Sequence, residues 1–100
     1  MKQKTINVRF FLIKNRTLKN GEAPILMRIT LDGEYEEVRI QRSVQTDLWD
    51  QVHGLSKGKD RNAKELNEYI RALHIKALDI HKELTMEGAY ITPSSCFPRF

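Results

Sequence analysis

Residues 24–41 read PILMRITLDGEYEEVRIQ. In the first half Ile25, Met27, Ile29 and Leu31 alternate with Leu26, Arg28 and Thr30. A strand throws successive side chains to opposite faces, so this alternation describes a ribbon with one wholly apolar side. Asp32-Gly33 then interrupts the pattern. A two-residue hairpin loop needs positive φ at both central positions, which Asp-Gly tolerates well, so the chain reverses here. Tyr35 to Gln41 is the returning strand, shorter and more polar. Val38 and Ile40 point to the core, while Tyr35, Glu37, Arg39 and Gln41 share the other face. Pro24 suits a first strand residue, because it cannot donate inside a ladder.

Outward from the hairpin the same logic gives the remaining elements. Upstream, Ile6 to Lys14 alternates again, with Ile6, Val8, Phe10 and Leu12 inward and Asn7, Arg9, Phe11 and Ile13 outward. A polar loop over residues 15–23 contains the turn signal Asn20-Gly21. Downstream, residues 43–49 form a connector with a helical turn at Thr46-Asp47, and Trp49 plugs the junction of sheet and helix. Residues 51–61 read as a loop. Asn62 followed by Glu65 has the form of a helix N-cap. Leu66, Tyr69, Ile70, Leu73, Ala77, Ile80 and Leu84 then recur at three- and four-residue steps, and Gly88 closes the helix. Packing that stripe across the apolar side of the strands buries both. The expected fold is therefore α+β, a three-stranded antiparallel sheet packed on one long C-terminal helix. A helix from Ala63 to Glu87 is roughly 37 Å long, more than the sheet needs, which suggests that its end reaches toward a second domain or partner. Ile75, Leu78 and Met86 lie off the stripe, and a broad stripe wrapped by residues 42–61 accounts for them.

Composition narrows the function. One hundred residues, 40% of them apolar, make one small core. No run of 18 apolar residues is present, and Met1 to Lys4 does not open an apolar stretch, so neither a membrane span nor a signal peptide is expected. The single cysteine, Cys96, fits a reducing, cytoplasmic setting. Seventeen Lys and Arg stand against thirteen Asp and Glu, a formal charge of +4. The distribution says more than the sum: Lys2, Lys4, Arg9, Lys14, Arg16 and Lys19 occupy the first twenty residues without one acid.

Catalysis has no constellation to work with. His74 and His81 are seven apart on one helix, about 10 Å, too far to share a zinc ion, and no metal or cofactor is expected. Glu34, Glu36 and Glu37 alternate in direction along a strand and suit a charged sheet edge. Ser94, Ser95 and Cys96 have no neighbouring base. What remains is the outward face of the sheet. A two- or three-stranded ribbon fits a DNA major groove. Arg reads guanine, Gln reads adenine, and Thr or an apolar group touches the thymine methyl. Arg9, Phe11, Arg28, Thr30, Tyr35, Arg39 and Gln41 are candidates for the base-reading face, and Lys2, Lys4, Lys14, Arg16 and Lys19 for phosphate contacts beside it. The same residue types also suit a solvated face laced with pairs such as Arg28 and Glu37, or a surface that binds RNA or another polyanion.

Several short runs together carry a resemblance. Val8-Arg9-Phe10-Phe11-Leu12, Asn20-Gly21-Glu22-Ala23-Pro24-Ile25, Arg28-Ile29-Thr30-Leu31-Asp32-Gly33-Glu34, Val44 with Leu48-Trp49-Asp50, and Glu65-Leu66-Asn67 resemble the N-terminal arm-type DNA-binding domain of tyrosine recombinases, the integrases of phages and transposons. The likeness spans about residues 5–92. It implies a role in DNA integration, with the open sheet face in the major groove of accessory arm sites beside the recombination core. Double-stranded DNA is the implied partner and another recombinase protomer a further one. The implied state is a monomer in isolation, associated with the nucleoid. Such recombinases also carry a core-binding domain and a catalytic domain with a His-x-x-Arg motif and a Tyr nucleophile. No His here has Arg three residues on, so the chain is expected to be no enzyme by itself. It reads as an arm domain over 1–92, followed by a tail, 93–100, that resembles a truncated start of the next domain. Two alternatives use the same chain differently: protein docking through the long helix, or double-stranded RNA binding.

Overall fold

The structure is a computed structural model, and it describes residues 6–13, 17–18 and 20–98. Strands β1 (Ile6–Leu12), β2 (Glu22–Leu31) and β3 (Glu34–Gln45) form an antiparallel sheet in that order, so β2 is central. The Asp32-Gly33 loop has φ of 54° and 85°, as a two-residue reversal requires. Counting back from it gives the register: Leu31 faces Glu34, Arg28 faces Glu37 and Leu26 faces Arg39. Then the register slips. Pro24 faces Ser43, which leaves Ile40, Gln41 and Arg42 opposite Ile25 alone. Gln41 takes φ 61° at this bulge. A slip of two residues keeps the inward parity, so Ile40 and Val44 are both buried. The ladder therefore continues to Gln45, beyond the expected strand end at Gln41. Likewise β2 begins at Glu22, two residues before Pro24.

The inward faces of the strands form one core. Ile25, Met27, Ile29 and Ile40 are fully buried there, with Phe10 beside them. Trp49 joins the same cluster at 7% exposure, as expected of a junction plug. Thr46–Leu48 form one 3-10 turn ahead of it. The segment read as a loop then contains a miniature ribbon, β4 (Trp49–Asp50) paired with β5 (Leu55–Ser56). Polar side chains assemble it, which is why apolar alternation does not reveal it. The Asp50 carboxylate accepts the Val52 and His53 amides at 3.0 and 3.3 Å, closing the turn. Asn67, on the helix, substitutes for a neighbouring strand. Its Oδ1 accepts the Ser56 amide at 2.9 Å, and its Nδ2 donates to the Ser56 carbonyl at 3.1 Å. Asn67→Ala leaves both backbone groups of buried Ser56 without these partners. Its expected cost is about 1–3 kcal/mol in urea unfolding, and a loss near zero would mean that β5 is held by other contacts.

Helix α1 runs from Arg61 to Glu87. Its cap is Asp60, whose Oδ1 accepts the Ala63 amide at 3.0 Å, and not Asn62. Helical geometry starts earlier than the cap pattern implies. Glu65 consequently does not close a capping box; it lies 3.9 Å from Arg61 as an i,i+4 pair. The C-terminus is as expected, with Gly88 at φ 70° and the Ala89 amide on the Leu84 carbonyl. Ile70, Leu73 and Ala77 are buried, with Leu66, Tyr69 and Leu84 packed around the same core. The off-stripe residues correct the expectation of a wrapped, broad stripe. Ile75 is 59% and Met86 78% exposed, and Leu78 is exposed as well. At 100° per residue they lie away from the core stripe, where the connector does not reach.

The C-terminal segment is packed rather than trailing. Thr92 caps a short 3-10 turn, Pro93–Cys96, with Pro93 in its first turn. Ile91, Pro93, Cys96 and Pro98 are buried, and Cys96 belongs to the central cluster. The start signal at Thr92-Pro93 thus does begin a helical turn, but residues 91–98 complete the core of this unit.

Candidate nucleic-acid interface

The outward sheet face is built by register. Asn7 faces Thr30, Arg9 faces Arg28 and Phe11 faces Leu26 across β1 and β2. Glu37, Tyr35 and Arg39 face Arg28, Thr30 and Leu26 across β2 and β3. None of these residues is buried. The helix, the small ribbon and the C-terminal turn contribute to the core on the other side. Two arginines directly opposite each other repel, and Glu37 offsets this. It receives Arg28 Nε at 2.8 Å and Nη2 at 2.6 Å. The Arg28 guanidinium also lies 4.6 Å from the Phe11 ring centroid and 4.8 Å from that of Tyr35, within cation–π range. Residues from the two flanking strands therefore hold one side chain in place at the centre of the face. Arg9 and Arg39 are exposed and in no ion pair among the described residues. Of these three guanidinium groups only that of Arg28 is ion-paired among the described residues.

Of the residues expected on this face, Arg9, Phe11, Arg28, Thr30, Tyr35 and Arg39 are brought together by the pairing. Gln41 sits at the bulge and shares a shallow depression with Leu18, Pro24 and Arg39. The expected phosphate contacts Lys2, Lys4, Lys14, Arg16 and Lys19 lie outside the described residues. The pairing of Arg28 with Glu37 follows from the two-residue loop, whereas the stacking on Phe11 requires the register of β1, which a long loop conceals.

His53 Nδ1 lies 2.7 Å from Asp50 Oδ2, and this hydrogen bond holds the Asp50 carboxyl below its ordinary range. Burial pushes the Cys96 thiol up, away from the thiolate that a nucleophile would need. No group of three or more His, Cys, Asp or Glu among the described residues is placed to hold a metal ion. No described helix is long and apolar enough to cross a membrane.

No curated protein and no solved structure matches the chain significantly. The sequence pattern of a family described as the arm DNA-binding domain matches residues 10–96, which takes in β2, β3, α1 and the C-terminal turn. That span runs past residue 92, in accord with the burial of Ile91, Pro93 and Cys96. With nearly its whole length matched, the chain belongs to the arm DNA-binding domain family, the N-terminal arm-type domain of tyrosine recombinases and integrases.

Proposed function

We propose that this domain binds accessory, arm-type sites on double-stranded DNA during integration of a mobile element, with its open sheet face in the major groove. The observation that carries this reading is a sheet face on which Arg9, Arg28 and Arg39 come together and only Arg28 is ion-paired among the described residues. Strands are about 4.8 Å apart, so three of them span about 10 Å, comparable to the major groove's width of about 12 Å. Arg39 is free to reach base edges, and Arg9, on the outer strand, lies at the margin of the same face. Arg28 is prepositioned by Glu37, Phe11 and Tyr35, and less side-chain entropy is lost when a held guanidinium binds. Thr30 and Phe11 supply the contacts that suit a thymine methyl. Lys14, Arg16 and Lys19 would lie on the phosphates, fixing orientation without specifying sequence.

Methylation interference tests the groove assignment, because methylated guanine N7 blocks the major groove only. Interference at guanines within the bound site is the expected result. Binding indifferent to N7 methylation would overturn the orientation. Glu37→Gln makes a sharper prediction. It removes the carboxylate that holds Arg28 and adds one positive charge to the face. Affinity for mixed-sequence duplex should rise and its salt dependence steepen by about 0.9 in log–log slope, while preference for the cognate site falls. The two effects are measured together by anisotropy over a salt series.

Another reading concerns the distal half of α1. Ile75, Leu78 and Met86 are exposed apolar residues away from the core, which suits docking of another recombinase protomer. Shifts confined to residues 70–87 on adding DNA would favour it over the sheet. Competition between DNA and RNA duplexes of one sequence separates duplex DNA from double-stranded RNA as ligand.

A further inference from the structure

We propose that a cleft on the outer edge of β1 is a second DNA contact, in which Arg71 and Arg9 hold one backbone phosphodiester. The proposal rests on the groove-docked reading above. The cleft lies between β1, the β4–β5 turn and the middle of α1, and its polar lining is Arg9, Gln51, His53, Arg71 and His74. Three separate elements thus bring two guanidinium groups and two imidazoles together, and no carboxylate among the described residues lines the cleft. Neither Arg9 nor Arg71 is in an ion pair among the described residues. The Asp50 carboxylate engages His53 at Nδ1, which leaves Nε2 as the ring nitrogen for a ligand.

The walls are preset. The Trp49 indole donates to Gln51 Oε1 at 2.9 Å, and Gln51 Nε2 donates to the Phe10 carbonyl at 3.1 Å. That chain of bonds fastens the small ribbon across the edge strand. An unneutralised pair of guanidinium groups on a fixed concave wall suits a tetrahedral oxyanion, which accepts Arg in a forked geometry. Position selects the source of that anion. When a three-stranded sheet fills the major groove, its outer strands abut the sugar-phosphate ridges. β1 is an outer strand, and Arg9 belongs both to the open face and to the rim of the cleft. A phosphate on the ridge beside β1 would therefore meet this cleft while the bases meet the face.

Anisotropy titrations of the full chain with cognate and mixed-sequence duplexes, over a salt series, test this. Arg71→Gln should lower the log–log salt slope by about 0.9 and weaken binding about five- to tenfold at 0.1 M salt, equally for every sequence. Arg71→Lys should restore the slope. Arg71 is exposed, and an unchanged thermal midpoint excludes misfolding as the cause. A phosphate titration followed by NMR forms the second arm. Shifts at Arg71 and His74 with duplex but not with equimolar inorganic phosphate support a DNA source, and saturation by free phosphate alone overturns it. Unchanged affinity and slope for Arg71→Gln, with Arg39→Gln still losing site preference, would remove the cleft and leave the sheet-face reading standing. The reverse pattern would keep the cleft as a DNA contact and remove the groove-docked sheet.

Discussion

Trp49→Ala is expected to lower the unfolding free energy by about 3–5 kcal/mol, a large fraction of the roughly 5–15 kcal/mol typical of a domain. Two physical effects add. The indole is 7% exposed within the central cluster, so its removal leaves a cavity where sheet and helix meet. Its N–H also orients Gln51, which in turn binds the Phe10 carbonyl. Losing the indole therefore loosens the β4–β5 ribbon from the sheet edge. At about 4–8 °C per kcal/mol for a domain of this size, the midpoint in a circular-dichroism melt should fall by at least about 12 °C. Trp49→Phe retains most of the volume and loses the N–H, so its loss should be about 1–2 kcal/mol. An alanine variant that melts within a few degrees of the parent would show that Trp49 is not the plug described.

Arg39→Gln has the largest effect expected on binding. Arg39 is exposed on the open face across from Leu26 and in no ion pair among the described residues, so its whole donor fork is available. One bidentate contact to guanine discriminates by about 1–3 kcal/mol, which is about 5- to 150-fold in affinity for the preferred sequence. On mixed-sequence duplex only the lost charge should register, as a smaller and salt-sensitive decrease. Arg28 should respond differently, because its substitution also strands the Glu37 carboxylate on the face. Equal losses for Arg39→Gln on all sequences would move this side chain from the bases to the backbone.

The residues that carry the family resemblance include Arg9, Phe11, Arg28 and Thr30 of the open face, but most of them build the scaffold. Asp32 and Gly33 supply the positive φ of the hairpin. Trp49 fills the core, Asp50 closes the small turn through its carboxylate, and Asn67 binds both backbone groups of Ser56. These positions need particular side chains because geometry leaves no substitute for a φ above zero, an indole-sized gap or a two-point amide contact. Exposed positions of the open face such as Arg9 and Arg39 are under no such constraint, since any side chain fits where it faces solvent. A recognisable scaffold can therefore carry different reading residues.

Period-two alternation around Asp32-Gly33 and the period of the helical stripe were sufficient, from the chain alone, for the three strands, the inward faces, the long helix and the side chains on the outward face as far as Arg39. Both periodicities are local consequences of backbone geometry, so they survive in one dimension. The bulge at Gln41, the Asn67-bound ribbon and the burial of residues 91–98 depend on what each segment meets after folding. Polar hydrogen bonds and a single slipped register leave no periodic trace. The same holds for Arg28, held at once by Glu37, Phe11 and Tyr35, and for the cleft that gathers Arg9, Arg71 and two histidines. Such groupings join residues from separate elements, and only the packed arrangement of those elements decides which charges are neutralised and which are left to bind.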